Sequence, residues 1–239
     1  MALPDLFTHL SDYIAAAAAL GTAAYALVDG SKAFWGGVSN CGFRHIRDEV
    51  KRFFPEEVSE RKDSDNPLQL SEVLDTLRAN WLNGTALIDQ KAIAKSLIKL
   101  RLNTVNAPDL AKATGVDKEK LVAIAVKIAS GSTLTQDQND LFGRFDLMLT
   151  AILDKGYQRA DQSYRNSAKA WSIFVSVVLA LVGAMVVYGE SLSFNKNIDF
   201  NIIGGAILLG LAATPIAPIA KDLTSALAAG VKAAQMLRK

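Results

Sequence analysis

Two stretches without a charged residue, residues 170–189 (20 residues) and 200–220 (21 residues), constrain this 239-residue chain more than any other feature. A helix rises about 1.5 Å per residue, so each stretch covers about 30 Å, the thickness of a bilayer's hydrocarbon core. The first contains the runs Ile173-Phe174-Val175 and Val177-Val178-Leu179. The second carries Pro215 and Pro218 near its end, where the missing backbone donors predict a kink or break at the membrane exit. Half of all residues are apolar and 21% are charged. That mixture is too apolar for an ordinary soluble domain and too charged to lie wholly in lipid.

A third uncharged stretch, residues 13–28, has 16 residues, is rich in alanine and is short for a span. Asp29 and Lys32 stand three residues apart and can pair on one helix face, which carries the segment on through Ala33-Phe34-Trp35 to aromatic anchors at the interface. Residues 1–12 contain no Lys or Arg and carry Asp5 and Asp12, so the positive start of a secretory signal peptide is missing. Basic residues orient the set. Lys32, Arg44, Arg47, Lys51 and Arg52 follow the first span, Lys155, Arg159, Arg165 and Lys169 precede the second, and Lys221, Lys232, Arg238 and Lys239 follow the third. Residues 1–12 and the 190–199 connection, with Glu190, Lys196 and Asp199, are net negative. The rule that basic loops stay inside then puts the N-terminus outside and the main domain and C-terminus in the cytoplasm of a cell inner (plasma) membrane.

The expected fold is therefore an all-α integral membrane protein with three transmembrane helices and a helical cytoplasmic domain inserted between the first and second. Residues 1–35 hold the first span, 36–168 the cytoplasmic domain ending in a long stalk helix, 169–220 the second and third spans, and 221–239 an amphipathic basic helix. Within the domain no apolar pattern of period two announces a strand. Phe43, Ile46, Val50 and Phe53 mark a short helix stopped by Pro55, and a polar loop follows over residues 59–67. Helices are expected near 70–82, ended by Asn83-Gly84, and near 85–102, with Ile93, Leu97 and Leu100 on one side. Two more lie within 108–130. Gly115 ends the first, Asp117 caps the second, and Val116 with Leu121 makes a hydrophobic staple. Ala111, Gly115 and Leu121 in LAKATGVDKEKL resemble a DNA-binding helix-turn-helix over about a dozen residues. The caps already explain that pattern, and the region's near-neutral charge offers no phosphate-binding face, so no nucleic acid is expected.

Thr135 with Gln138 forms a capping box, after which no proline interrupts the chain as far as Gly189. Phe145, Leu149, Ile152, Leu153, Tyr157, Ala160 and Tyr164 keep the four-and-three spacing of a helix seam, and Gly143 and Gly156 are its expected weak points.

Chemistry is hard to place. Cys41 is the one cysteine and His9 and His45 are the histidines, which removes disulfides and multi-cysteine metal sites. Asp137, Asn139 and Asp140 lack the glycine and glutamate of a calcium loop and read as helix-start residues. With no phosphate loop, nucleophile elbow or kinase signature, the expectation is no enzyme, no catalytic residue, no metal and no cofactor. Asp29 and Lys32, with Thr22, are the candidate pathway or gate residues, because ionisable groups at membrane depth face protein, water or the interface. Small residues recur every four positions in each span: Ala15, Ala19 and Ala23; Ser172, Ser176, Ala180 and Ala184; Ala206, Gly210 and Thr214. Such stripes let backbones approach in lipid and are the candidate oligomer-packing residues. The function these features suggest is a homo-oligomeric channel or pore-like conduit with a cytoplasmic vestibule. The alternative is a membrane-anchored scaffold or adaptor whose cytoplasmic helices bind another protein. Expected partners are membrane lipid, further copies of the chain and a cytoplasmic protein.

Overall fold

The computed structural model describes residues 10–34, 36–54, 68–188 and 200–215, and all regular structure among them is helical. The elements are α1 (Leu10–Gly30), a 3-10 turn (Ser31–Ala33), α2 (Ser39–Lys51), α3 (Leu70–Leu82), α4 (Leu87–Leu100), α5 (Ala107–Thr114), α6 (Lys118–Ala129), α7 (Gln136–Tyr188) and α8 (Phe200–Pro215). The polar loop 59–67 and the basic C-terminal helix 221–239 expected from sequence lie outside the described residues. The chain divides into two compact units, Ser39–Tyr164 and Met1–Val38 with Arg165–Lys239.

Local chemistry sets several helix ends in the Ser39–Tyr164 unit. After Lys51 the backbone tightens, with Phe53 N–H donating to the Val50 carbonyl at 3.0 Å and Phe54 N–H to that of Lys51 at 2.9 Å. The residue before a proline is pushed out of the helical region, so Pro55 enforces this stop. Gly115 takes φ +71°, which only glycine adopts without cost, and its N–H closes α5 on the Ala111 carbonyl at 2.8 Å. The Asp117 carboxylate accepts the Lys120 N–H at 2.9 Å to start α6. At the start of α7 the Thr135 N–H donates to Gln138 Oε1 at 3.1 Å, one arm of the expected capping box.

These helices bury one core. Phe43, Ile46 and Val50 of α2, Val73 and Leu77 of α3, Ala94 and Ile98 of α4, and Leu110 and Leu121 beyond them close on Phe145, Leu149, Leu153 and Tyr157 of α7. Buried Tyr157 donates its hydroxyl to the Gln90 carbonyl at 3.3 Å, and burial pushes that phenol well above its ordinary range. Arg101 is also buried. Its Nη1 donates to the Phe53 carbonyl at 2.7 Å while the guanidinium stacks 3.9 Å over the Phe54 ring. Burial lowers its pKa, opposed by the charge of Asp109.

The expected weak points of α7 behave differently from each other, and neither breaks it: the helix runs unbroken for 53 residues. A methyl group at Gly156 would lie 3.1 Å from Glu49 Cγ and 3.2 Å from Glu49 Cβ, so this glycine admits α2 closely. Its partner position on α2 is Gly42, where a methyl group would meet the Ala160 carbonyl oxygen and Trp81 Cζ2, each at 2.6 Å. At Gly143 nothing lies within 4 Å. Glu49, nearly enclosed beside this crossing, pairs through Oε1 with Lys155 at 3.1 Å. Arg52 Nη1 approaches Glu49 Oε2 to 2.9 Å, but its direction makes an ion pair without a hydrogen bond.

Lysines at four-residue intervals on α4 fasten it to α7. Lys91 meets Asp154 at 2.6 Å, Lys95 meets Asp146 at 2.6 Å and Lys99 meets Asp146 at 3.0 Å. Burial alone would push the Asp146 carboxyl up, but the hydrogen bonds and charges of Lys95 and Lys99 outweigh it and hold it below the usual carboxylate range. A carboxylate whose pKa is lower folded than unfolded contributes stability above its unfolded pKa, and that contribution fades as pH falls through the folded one. Asp146→Asn is therefore expected to lower the melting temperature at pH 7, with the gap to wild type closing below about pH 4. A gap of constant size from pH 7 to pH 3 would remove the electrostatic role.

Candidate functional site: the apolar helices and their polar residues

The second unit holds α1, the 3-10 turn, the part of α7 from Arg165 onward, and α8. Two described helices are long and apolar enough to cross a membrane: residues Asp12–Ala33, and α7 through its C-terminal part. In the apolar window of α7 only 17% of residues are buried, unlike the core helix of a soluble domain. Trp171, Phe174, Val178, Val182 and Met185 all stand exposed there. The third apolar helix, α8, is described over 16 residues and ends at Pro215, so it covers about 24 Å and falls short of the expected 200–220 span; residues 216–220 lie outside the described residues.

Along α7 the expected stripe faces inward. Ser172, Ser176 and Ala180 are buried together with Ala168 one turn earlier, and Ala184 is half-buried. On α8 Ala206, Gly210 and Ala213 are buried and Thr214 half-buried. The two helices meet within one chain at Gly210. A methyl group there would lie 2.5 Å from Val177 Cα, 2.8 Å from Val177 N and 3.0 Å from the Ser176 carbonyl oxygen. At the same point Ser176 Oγ donates to the Gly210 carbonyl at 2.7 Å, with the Ile173 carbonyl 2.8 Å away as its other acceptor. Ser176 lies 12 residues before Tyr188 and Gly210 ten after Phe200, as in a helical hairpin; on that pairing Ala206 comes level with Ala180 and Thr214 with Ser172. Ser172 Oγ and Thr214 Oγ1 are enclosed without a hydrogen-bond partner.

On α1 the residues buried within the chain are not those of the small-residue stripe. Ala15, Ala19 and Ala23 are exposed, whereas Ala17, Gly21, Ala24 and Val28 are buried. Five consecutive alanines, 15–19, present a small residue on every face, so spacing alone could not fix the phase. Ala17, Gly21, Ala24 and Val28 keep the 4-3-4 spacing of one helix face.

Of the candidate pathway residues, Asp29 and Lys32 come together, while Thr22 bonds within its own helix. Thr22 Oγ1 donates to the Ala18 carbonyl at 2.8 Å, which satisfies its hydroxyl within α1. Asp29 and Lys32 form the expected pair, 2.5 Å apart, at the junction of α1 with the 3-10 turn, and both side chains remain partly exposed. Phe34, the first of the two expected anchors, is 76% exposed; Trp35 lies outside the described residues.

Among the described residues no group of three or more metal-ligating side chains comes together. Among the described residues these features define an all-helical protein in which two helices are long and apolar enough to cross a membrane. No family model, no curated protein and no solved structure matches the chain.

Proposed function

We propose that the chain is a membrane-anchored adaptor. Its apolar helices hold it in a cell inner membrane with the N-terminus outside, and the Ser39–Tyr164 unit engages another protein in the cytoplasm. The observation that carries this reading is where the polarity of the apolar helices goes. Thr22 is bonded to its own helix and Ser176 to the α7–α8 contact, while the outward faces present Trp171, Phe174, Val178, Leu208 and Leu211. A conduit needs a continuous wet face, and a tether needs an apolar one. The three-span arrangement rests on the sequence of 200–220 and on the basic-loop asymmetry.

The test places a photoreactive residue at Leu147, exposed on the cytoplasmic part of α7, and separately at Phe174 in the apolar part. In intact cells the first should yield a discrete protein adduct and the second lipid adducts only. The same protein reconstituted in vesicles should release potassium no faster than vesicles without protein. No adduct at Leu147 together with ion release would sink the adaptor.

The conduit is the second reading, favoured by the partial exposure of Asp29 and Lys32 at the end of α1. If ions pass, Asp29→Asn should shift selectivity toward anions and Lys32→Gln toward cations.

A further inference from the structure

The ion pairs that fasten α4 to α7 run between two exposed rows of side chains. On α4, Ala92, Ser96 and Leu100 each stand one position after a pairing lysine, and Ile88 continues their row by one turn. On α7, Gly143, Leu147 and Ala151 keep the same interval, with Leu147 one position after Asp146. One residue turns about 100° around a helix, so each row borders the ion pairs, and the exposure of both puts them on the side away from the core. Ile88, Leu147 and Leu100 are 72%, 69% and 68% exposed, and among the described large apolar side chains of this unit only Val105 is more so. Between them Ala92, Ser96, Gly143 and Ala151 are small, and nothing lies within 4 Å of a methyl group at Gly143. The two rows form a shallow apolar trough about 18 Å long from Ile88 to Leu100. Its charge is one-sided. On the outer rim of α7, Arg144 and Arg159 are exposed and make no hydrogen bond or ion pair with any described residue, and no exposed acid stands between Gly143 and Gln162. Asp89, in the first turn of α4, is the one acid of that helix.

We infer that this trough docks an amphipathic helix of another protein, with apolar side chains at three- and four-residue intervals and carboxylates on the flank that meets Arg144 and Arg159. The inference rests on the adaptor reading and supplies its docking surface and the chemistry of its partner. A length of about 18 Å takes about three turns of helix, and large side chains spaced by small ones receive the ridge of a crossing helix. Apolar side chains this exposed, side by side on two helices already pinned to each other, have no role in the core. Charge selects the occupant. A second copy laid face to face would bring the arginine rim against its own, with only Asp89 to offset it. A bilayer surface suits an apolar stripe with cations along both edges, whereas here they line the α7 edge alone. A helix with one acidic flank meets both the apolar rows and the single basic rim.

The experiment uses the full chain in intact cells, with the photoreactive residue at Leu147. The adduct, digested and sequenced by mass spectrometry, should contain a segment of another protein with apolar residues at three- and four-residue spacing and more Asp and Glu than Lys and Arg. A photoreactive residue at Ser96, across the ion pairs on α4, should capture the same segment, and one at Glu119 on exposed α6 should not. Ile88→Ser with Leu100→Ser should cut the yield at Leu147 about tenfold or more, and Arg144→Gln with Arg159→Gln should cut it several-fold. Lys112→Gln with Lys118→Gln, the same loss of charge away from the trough, should leave it unchanged. A yield that both trough variants preserve, or a captured segment that is basic, overturns the inference and leaves the adaptor standing. Adducts only to lipid, or to a second copy of the chain, overturn it in favour of those occupants. No protein adduct at either Leu147 or Ser96 overturns it as well, and ion release in addition overturns the adaptor.

Discussion

Replacing Gly210 by leucine is expected to part α8 from α7. The new Cβ would sit 2.5 Å from Val177 Cα and 2.8 Å from Val177 N, backbone atoms that no rotamer change can move aside. Overpacking of this kind costs about 3 kcal/mol and separating the helices also removes the Ser176 hydrogen bond, together more than the roughly 0.8 kcal/mol that leucine gains over glycine as a helix former. The readout is a cross-link. In a Cys41→Ser background, Ala180→Cys with Ala206→Cys should oxidise to an intrachain disulfide, and Gly210→Leu should abolish most of the yield. Gly205→Leu should not, because nothing lies within 4 Å of a methyl group at that position. A product of twice the chain mass would instead assign this face to assembly between copies, the role expected for the stripes from spacing alone.

Three glycines give the second large effect and its own controls. Gly42→Ala drives a methyl group to 2.6 Å from both the Ala160 carbonyl oxygen and Trp81 Cζ2 and should destabilise the Ser39–Tyr164 unit by about 3 kcal/mol. The Trp81 indole donates to the Ser39 carbonyl at 3.0 Å and packs edge-on to Tyr164, so displacing it disturbs the start of α2 as well. Gly156→Ala meets Glu49 Cγ and Cβ at 3.1 and 3.2 Å and the His45 carbonyl oxygen at an ordinary 3.6 Å, and should cost about 1 kcal/mol. Gly143→Ala, in open space on the same helix, should stabilise by up to about 1 kcal/mol. Chemical denaturation followed by circular dichroism reads all three, and any other order would mean that α2 and α7 do not cross at these glycines.

That series also marks the boundary of what local sequence can express. Gly115, Asp117 and the pair Thr135 and Gln138 announced helix ends correctly because a cap is satisfied by residues three or four positions away. The seam from Phe145 to Ala160 was readable for the same reason, since one helix face is a local property. Gly42, Gly143 and Gly156 are identical in sequence terms, yet one receives a backbone carbonyl, one faces open space and one receives a glutamate stem. What distinguishes them arrives from α3 and from the crossing of α2 with α7, contacts distant in the chain. Arg44, Arg47 and Arg78, which line one open cavity between α2 and α3, follow the same division. Arg44 and Arg47 share a face by spacing, whereas their meeting with Arg78 depends on how α3 lies against α2.

The unbroken course of α7 has a consequence for the order of events during synthesis. Phe145, Leu149, Leu153 and Tyr157 are the last large side chains that the Ser39–Tyr164 core requires, so the five helices made earlier have no complete surface to close on until translation has passed Ala160. The apolar stretch begins only ten residues later, at Ala170. At about 5–20 residues per second, the ribosome finishes it roughly 1.5 to 6 seconds after Ala160. On the anchored reading, closure of the cytoplasmic core and delivery of the next segment to the bilayer fall in the same few seconds on the same helix. A defect in either is then felt by the other while the chain is still being made.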